Sequence, residues 1–206
     1  MLDVLRSMSE GVSECWWLSK TCVVNWDAWA AVGTVAAVFA AIFAPALQRL
    51  LVRRRANALF ALAYRGDILF AAIKVRRIKK QFPVGTNNDA AWAAEALLST
   101  DKAVRAELAE LAETLNVLTE REVDLTKWPA VDLRLAAKIA LAIETVRHFQ
   151  QAAVLLTEPG EEPNWTENFA TVERMLKGAG AALEAADDAA VEAVAPLSKQ
   201  KKLSDN

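Results

Sequence analysis

The sequence predicts an all-α chain: a single transmembrane helix near the N-terminus, a stalk that continues from it, and an antiparallel cytoplasmic bundle of about four helices. Three observations carry that reading. Alanine, leucine, glutamate, lysine and arginine dominate the 206 residues, and the alternating pattern and Asn-Gly or Asp-Gly turns of a sheet protein are missing. From Ala28 to Leu47 no residue is charged. The formal net charge of -2 conceals opposed blocks, since residues 49–80 hold ten basic groups against Asp67 alone while acidic residues prevail before and after them.

The uncharged run comes first. A helix rising 1.5 Å per residue needs about 20 residues to cross a ~30 Å hydrocarbon core, and Ala28–Leu47 supplies them. Thr34 carries the one hydroxyl in the run, so the polar stripe that a water-facing helix keeps is missing. Trp26 and Trp29 stand at one end, where indoles favour the headgroup layer, and Arg49, Arg53, Arg54 and Arg55 stand at the other. The run is rich in alanine, a weak driver of insertion, and it contains Pro45, which is tolerable near the end of a membrane helix. A cleaved secretory signal fits poorly, because the preceding segment is acidic and the run is long for an apolar signal core. The expected span is 25–52. Basic residues beside a span stay on the cytoplasmic face, which puts the N-terminus outside and the rest of the chain inside, in a single-pass arrangement in the inner cell membrane. Small residues recur at every fourth position, as Gly33-Ala37-Ala41 and Ala36-Ala40-Ala44, a spacing that permits close approach of a second span.

Residues 1–24 form a short external segment in this reading. Leu5, Met8, Val12 and Trp16 recur at roughly helical spacing, as they would in a segment lying on the bilayer surface. Cys15 and Cys22 are a candidate disulfide if that compartment is oxidising; their C-x6-C spacing matches no zinc pattern.

Residues 53–82 read as a basic juxtamembrane stalk helix, with Leu59, Leu62, Leu69 and Ile73 along one face and basic surface elsewhere. Pro83, Gly85, Asn87 and Asn88 signal its end. Residues 84–196 are expected to form the bundle. A helical region runs from Asp89 to about Glu120, with a break at Ser99-Thr100-Asp101 where side-chain oxygens can cap a new helix. Its seam is Val104, Leu108, Leu111, Leu115 and Leu118. The next helix is expected from Thr126–Pro129 to Thr157, and its centre, Leu133–Ile143, is apolar nearly all round except for Arg134 and Lys138. The last opens at Asn164, with Glu167 completing a capping box, and carries Phe169, Val172, Leu176, Ala179, Leu183, Ala186 and Ala190 as its seam. Pro196 is expected to end it, leaving 197–206 as a disordered tail.

Signals for chemistry are sparse. The sequence has no G-x-x-x-x-G-K-[ST] loop, H-E-x-x-H, G-x-S-x-G or C-x-x-C. Gly178-Ala179-Gly180 opens like a dinucleotide fingerprint but lies within a helix with no strand before it. His148 follows Glu144 by four residues, whereas carboxylate-bridged metal bundles use Glu-x-x-His from two helices, so a surface histidine is the expectation. The basic run lacks interleaved aromatics and a reading motif, and the rest of the chain is acidic. Nucleic acid is therefore not an expected partner.

The plan of one N-terminal span and a helical cytoplasmic domain resembles that of many small bacterial inner-membrane proteins, a likeness that assigns no function to any residue. The expected function is that of a membrane-anchored interaction or scaffold protein without enzymatic activity, cofactor or metal. Its expected partners are the lipid bilayer, anionic lipid through the basic run, a second copy and a protein partner. The alternative is a membrane-tethered enzyme or ligand sensor with a pocket inside the bundle.

Overall fold

A computed structural model describes the backbone of residues 26–84 and 89–204 and the side chains of residues 29–84 and 89–195. Every regular element among them is helical, with no strand. The elements are α1 (Trp26–Gln81), α2 (Asp89–Thr100), α3 (Lys102–Glu113), the single turn α4 (Asn116–Thr119), a 3₁₀ turn (Leu125–Lys127), α5 (Leu133–Thr157) and α6 (Trp165–Ser204). The chain divides between Leu51 and Val52 into two units.

The first unit contributes the apolar part of α1. All residues from Trp29 to Leu51 are exposed, including Val35, Phe39, Ile42, Phe43 and Leu47. The helix is long and apolar enough to cross a membrane. Thr34 Oγ1 donates to the carbonyl of Ala30 at 2.8 Å, so the one hydroxyl of the run is satisfied inside its own helix.

The second unit has one hydrophobic core. The C-terminal part of α1 supplies Phe60, Tyr64, Ile68, Ala71, Val75 and Ile78; α3 supplies Leu108 and Leu111; α5 and α6 supply their inward seams. Phe60 is fully buried, with its ring 5.6 Å from Trp128 at a steep angle and 5.0 Å from Tyr64. The helix directions follow from the cross-contacts. Arg65 meets Asp187, and a Cβ on Gly180 would lie against Val75, so α1 and α6 run antiparallel. Asn168 reaches the carbonyl of Leu155, and the short loop before Trp165 returns the chain, so α5 and α6 are antiparallel as well. Between α3 and α5, Gln150 donates to the carbonyl of Ala112 at 2.8 Å and to Asn116 Oδ1 at 2.7 Å.

Local chemistry sets the boundaries. Asp101 caps α3 through the Ala103 amide at 2.7 Å, which realises the break expected at Ser99-Thr100-Asp101. Asn164 Oδ1 accepts from the Glu167 amide while its own amide donates to the Glu167 carboxylate, a capping box built with asparagine. The seam of α6 is buried as its spacing predicts, and of the seam that runs from α3 into α4, Leu108, Leu111, Leu115 and Leu118 are buried while Val104 is partly so.

Three expectations are corrected. The helix expected from Thr126–Pro129 begins instead at Leu133: Asp132 is the N-cap, accepting from the Arg134 amide at 2.9 Å, and Asp124 holds Leu125–Lys127 in a separate 3₁₀ turn. The last helix continues through Pro196 to Ser204. Proline removes one backbone donor, and the lysine, leucine and glutamine residues beyond it are good helix formers. Finally, the surface of residues 53–82 away from Leu59, Leu62, Leu69 and Ile73 is not all basic as expected. The buried face of α1 is the opposite one, on which residues 60, 64, 68, 71, 75, 78 and 82 follow one another at intervals of three or four.

The stalk thus shares its core with the helices after residue 84. A fragment of residues 52–206 is expected to unfold cooperatively in urea, whereas one of residues 84–206, without the α1 face, is expected to melt broadly. Within the longer fragment, Phe60→Ala should lower the unfolding free energy by about 3–5 kcal/mol.

Candidate functional site

Two surfaces of the second unit have properties that a solvated helical body does not need. The first is the outer face of α1. Leu59, Leu62, Leu69, Phe70 and Ile73 lie on it, each between 38% and 62% exposed, so every one retains substantial apolar area in water. Gly66 sits at the middle of the stripe, and a Cβ there would meet nothing within 4 Å. The two charged residues in this stretch turn toward the body. Arg65 pairs with Asp187 at 3.4 Å, and Asp67 Oδ2 lies 3.0 Å from Arg121 Nε, an ion pair without hydrogen-bond alignment. The outer stripe from Leu59 to Ile73 therefore carries no charge. Lys74 lies over the Phe70 ring at 5.1 Å from its centroid, at the edge of the stripe.

The second surface is a groove of about 420 Å³ where α1, the start of α5 and α6 meet. Arg54, Asn57, Asp132, Arg134, Lys138 and Glu192 line it, over a floor of Leu135, Ala189 and Ala193. Asp132 organises this corner. Its carboxylate accepts from the Arg134 amide and from Arg53, and its own amide donates to Asn57 Oδ1 at 2.7 Å. The Arg134 amide, helped by Arg53 and opposed by partial desolvation, holds the Asp132 carboxyl below its ordinary value of 3.8. Asp124 is held low in the same way, first by the Thr126 hydroxyl and then by the Thr126 amide. Burial pushes the Tyr64 hydroxyl up, and it donates to the carbonyl of Glu122 at 2.9 Å, tying α1 to the α4–α5 connection.

A smaller groove of about 280 Å³ lies farther along α1 and α6. It is lined by Arg76, Lys79, Lys177 and Glu184, with Gly180 and Ala181 leaving room between the helices. The Gly178-Ala179-Gly180 segment is continuous helix here, with Ala179 fully buried. His148 is exposed, and the Glu144 carboxylate pairs with Arg147 instead. Among the described residues no cluster of His, Cys, Asp or Glu is arranged to hold a metal ion, and no polar or charged side chain is classed as buried.

The residues singled out by sequence fall in different places. Gly33, Ala37 and Ala41 share one exposed line of the apolar helix, with open space around Gly33. Trp29 is exposed, as are Arg49, Arg53, Arg54 and Arg55. Cys15, Cys22 and the whole 1–24 segment lie outside the described residues, as does the side chain of Trp26. Missed in the sequence were Asn57, Asp132, Arg134 and Lys138 as neighbours of the arginine block. Asp132, two residues before Arg134 in a proline-bearing linker, is a capping signal that would have located this corner.

Comparison with protein-family models, with curated proteins and with solved structures yields no match. The class defined here is thus an all-α protein with one long helix near its N-terminus whose first part is apolar and unburied.

Replacing Asp132 by asparagine keeps an N-cap but removes the charge. A depressed carboxylate stabilises the fold at pH values above its unfolded pKa and loses that contribution as pH falls through the folded value. D132N should therefore lower the Tm of the 52–206 fragment by about 1–3 °C at neutral pH, as a half-exposed ion pair allows, and parent and variant should converge in acid well below the ordinary carboxylate value.

Proposed function

We propose that this chain is a single-pass membrane-anchored interaction protein, whose cytoplasmic helical bundle presents the outer face of α1 to a helical partner. The observation that carries the reading is that uncharged stripe, Leu59–Ile73, exposed on a helix whose opposite face is already buried. Its apolar area, of order 500 Å², is the size at which a patch on a folded domain marks an interaction site. Burial of the Leu and Ile side chains against a partner helix supplies the driving force, and Gly66 lets the two backbones approach.

Anchorage is supported by the apolar helix. An unpaired helix with Val, Phe, Ile and Leu exposed all round is unfavourable in water and favourable in hydrocarbon, where its backbone is already satisfied. The acidic segment before it and the arginines after it favour the N-terminus outside. Self-association of two spans through Gly33, Ala37 and Ala41 fits the same proposal, because it would align two α1 helices in one membrane. The alternative of a ligand pocket inside the bundle finds less support, because the one hydroxyl in the described core, that of Tyr64, already donates to the carbonyl of Glu122.

The test places a photo-crosslinking amino acid at Leu62, at Ile73 or at the exposed Glu110 of the full chain in native membranes. Adducts of defined mass from Leu62 and Ile73, and none from Glu110, are expected. Equal labelling from all three positions, or none from the stripe, would contradict the proposed docking face.

A further inference from the structure

We infer that the groove between α1, α5 and α6 is a headgroup site for an anionic phospholipid, with Arg54, Arg134 and Lys138 holding the phosphodiester. The inference rests on the anchored reading above and adds a ligand and a site to it.

The argument begins with charge. Arg53 is occupied by Asp132, but Arg54, Arg134 and Lys138 line the same groove and form no ion pair among the described residues. Glu192 also lines it and forms no ion pair among the described residues, so Arg54, Arg134 and Lys138 face two carboxylates, that of Glu192 and that of Asp132, the latter already held by Arg53 and the Arg134 amide and drawn on by the Arg134 charge. Asn57 uses its oxygen on the Asp132 amide, which leaves its amide nitrogen as a further donor. Asp132 already caps α5, so the ligand-binding capacity resides in the side chains rather than in the helix terminus.

Position separates a lipid phosphate from a free one. Arg53 and Arg54 directly follow Leu50-Leu51-Val52 at the end of the expected span, and a spanning helix places such residues in the cytoplasmic headgroup layer. The Arg53–Asp132 and Asn57–Asp132 contacts tie the first turn of α5 to that level. Arg134 and Lys138, some 80 residues away in sequence, thereby join the arginine block, where phosphodiesters are concentrated. Leu133 begins the same turn and is 71% exposed, an arrangement costly in water and suited to the glycerol and upper acyl region.

The groove also selects among headgroups. Choline or ethanolamine would bring a second cation against Arg54, Arg134 and Lys138. Phosphatidylglycerol carries its single negative charge on the phosphate, and its hydroxyls can donate to Glu192. The far groove, also basic with Arg76, Lys79 and Lys177, has its first basic residue, Arg76, 22 residues along α1 from Arg54. At 1.5 Å per residue that is roughly 33 Å along the helix.

The experiment uses the full chain in nanodiscs of phosphatidylcholine containing a minority of phosphatidylglycerol, with co-purifying lipid counted by native mass spectrometry. Phosphatidylglycerol should be retained above its bulk fraction. In R134Q/K138Q its affinity should fall on the order of 30-fold, at about fivefold for each basic residue near the surface. R134K/K138R should retain binding, E192Q should strengthen it, and R76Q/K79Q in the distant groove should leave it unchanged. Circular dichroism of each variant verifies that the helical body is intact. Loss of equal size in R76Q/K79Q would overturn the site in favour of diffuse attraction to basic surface. Glycerol 3-phosphate binding as tightly to the chain in pure phosphatidylcholine discs would overturn the lipid assignment in favour of a soluble phosphate ligand. Failure of the parent chain to enter discs of either composition would refute the anchored reading, and the site with it, whereas incorporation without phosphatidylglycerol enrichment refutes the site alone.

Discussion

The packing of the second part of α1 against α5 and α6 is the contact on which the body depends. Phe60, Tyr64, Ile68, Val75 and Ile78 form the wall that closes the core, and without it the seams of α3, α5 and α6 would face water. The ion pairs along the same helix, Arg53–Asp132, Arg65–Asp187 and Asp67–Arg121, are partly exposed and so add little energy individually. They do fix rotation. With both internal charges of the 56–73 stretch turned inward, the helix cannot roll to bury Leu59, Leu62 and Ile73 without exposing Phe60 and Ile68. The outward stripe is thus a consequence of how the core is closed.

Electrostatics divide the surface in a way that the net charge does not suggest. The basic residues of α1 gather mainly at the two ends of its second half, around residues 53–55 and 74–80, and leave a middle whose charges, Arg65 and Asp67, are paired with the body. Folding adds Arg134 and Lys138 to one end, and Lys177 to the other. Each end thereby becomes a groove between helices, with a small-residue floor, Ala189 and Ala193 in one and Gly180 and Ala181 in the other.

Much of this was legible in the sequence, and its limits have physical causes. Helix class, the apolar run, the seams of α3 and α6 and the caps at Asp101 and Asn164 all follow from local periodicity and short-range hydrogen bonding. The orientation of α1 did not, because residues 53–82 carry two apolar faces and composition alone does not say which one meets the body. Leu59, Leu62, Leu69 and Ile73 are the more conspicuous by hydropathy, yet the aromatic and β-branched face won because it is the longer and extends to Phe82. The start of α5 was misplaced because Pro129 is a permitted first-turn residue, while the cap that decides the matter is Asp132. The groove between α1, α5 and α6 was invisible for a different reason. It joins Arg54 to Arg134 and Lys138 through a contact of Asp132 with Arg53 and Asn57, a long-range relation that no window along the chain contains.

The central claim is that α1 enters a bilayer with its arginines on the cytoplasmic side, and residues ahead of the span report it most directly. With thiols first reduced, a membrane-impermeant maleimide applied to intact cells should label Cys15 or Cys22, the two cysteines of the chain. Labelling that appears only after lysis would contradict a span with the N-terminus outside.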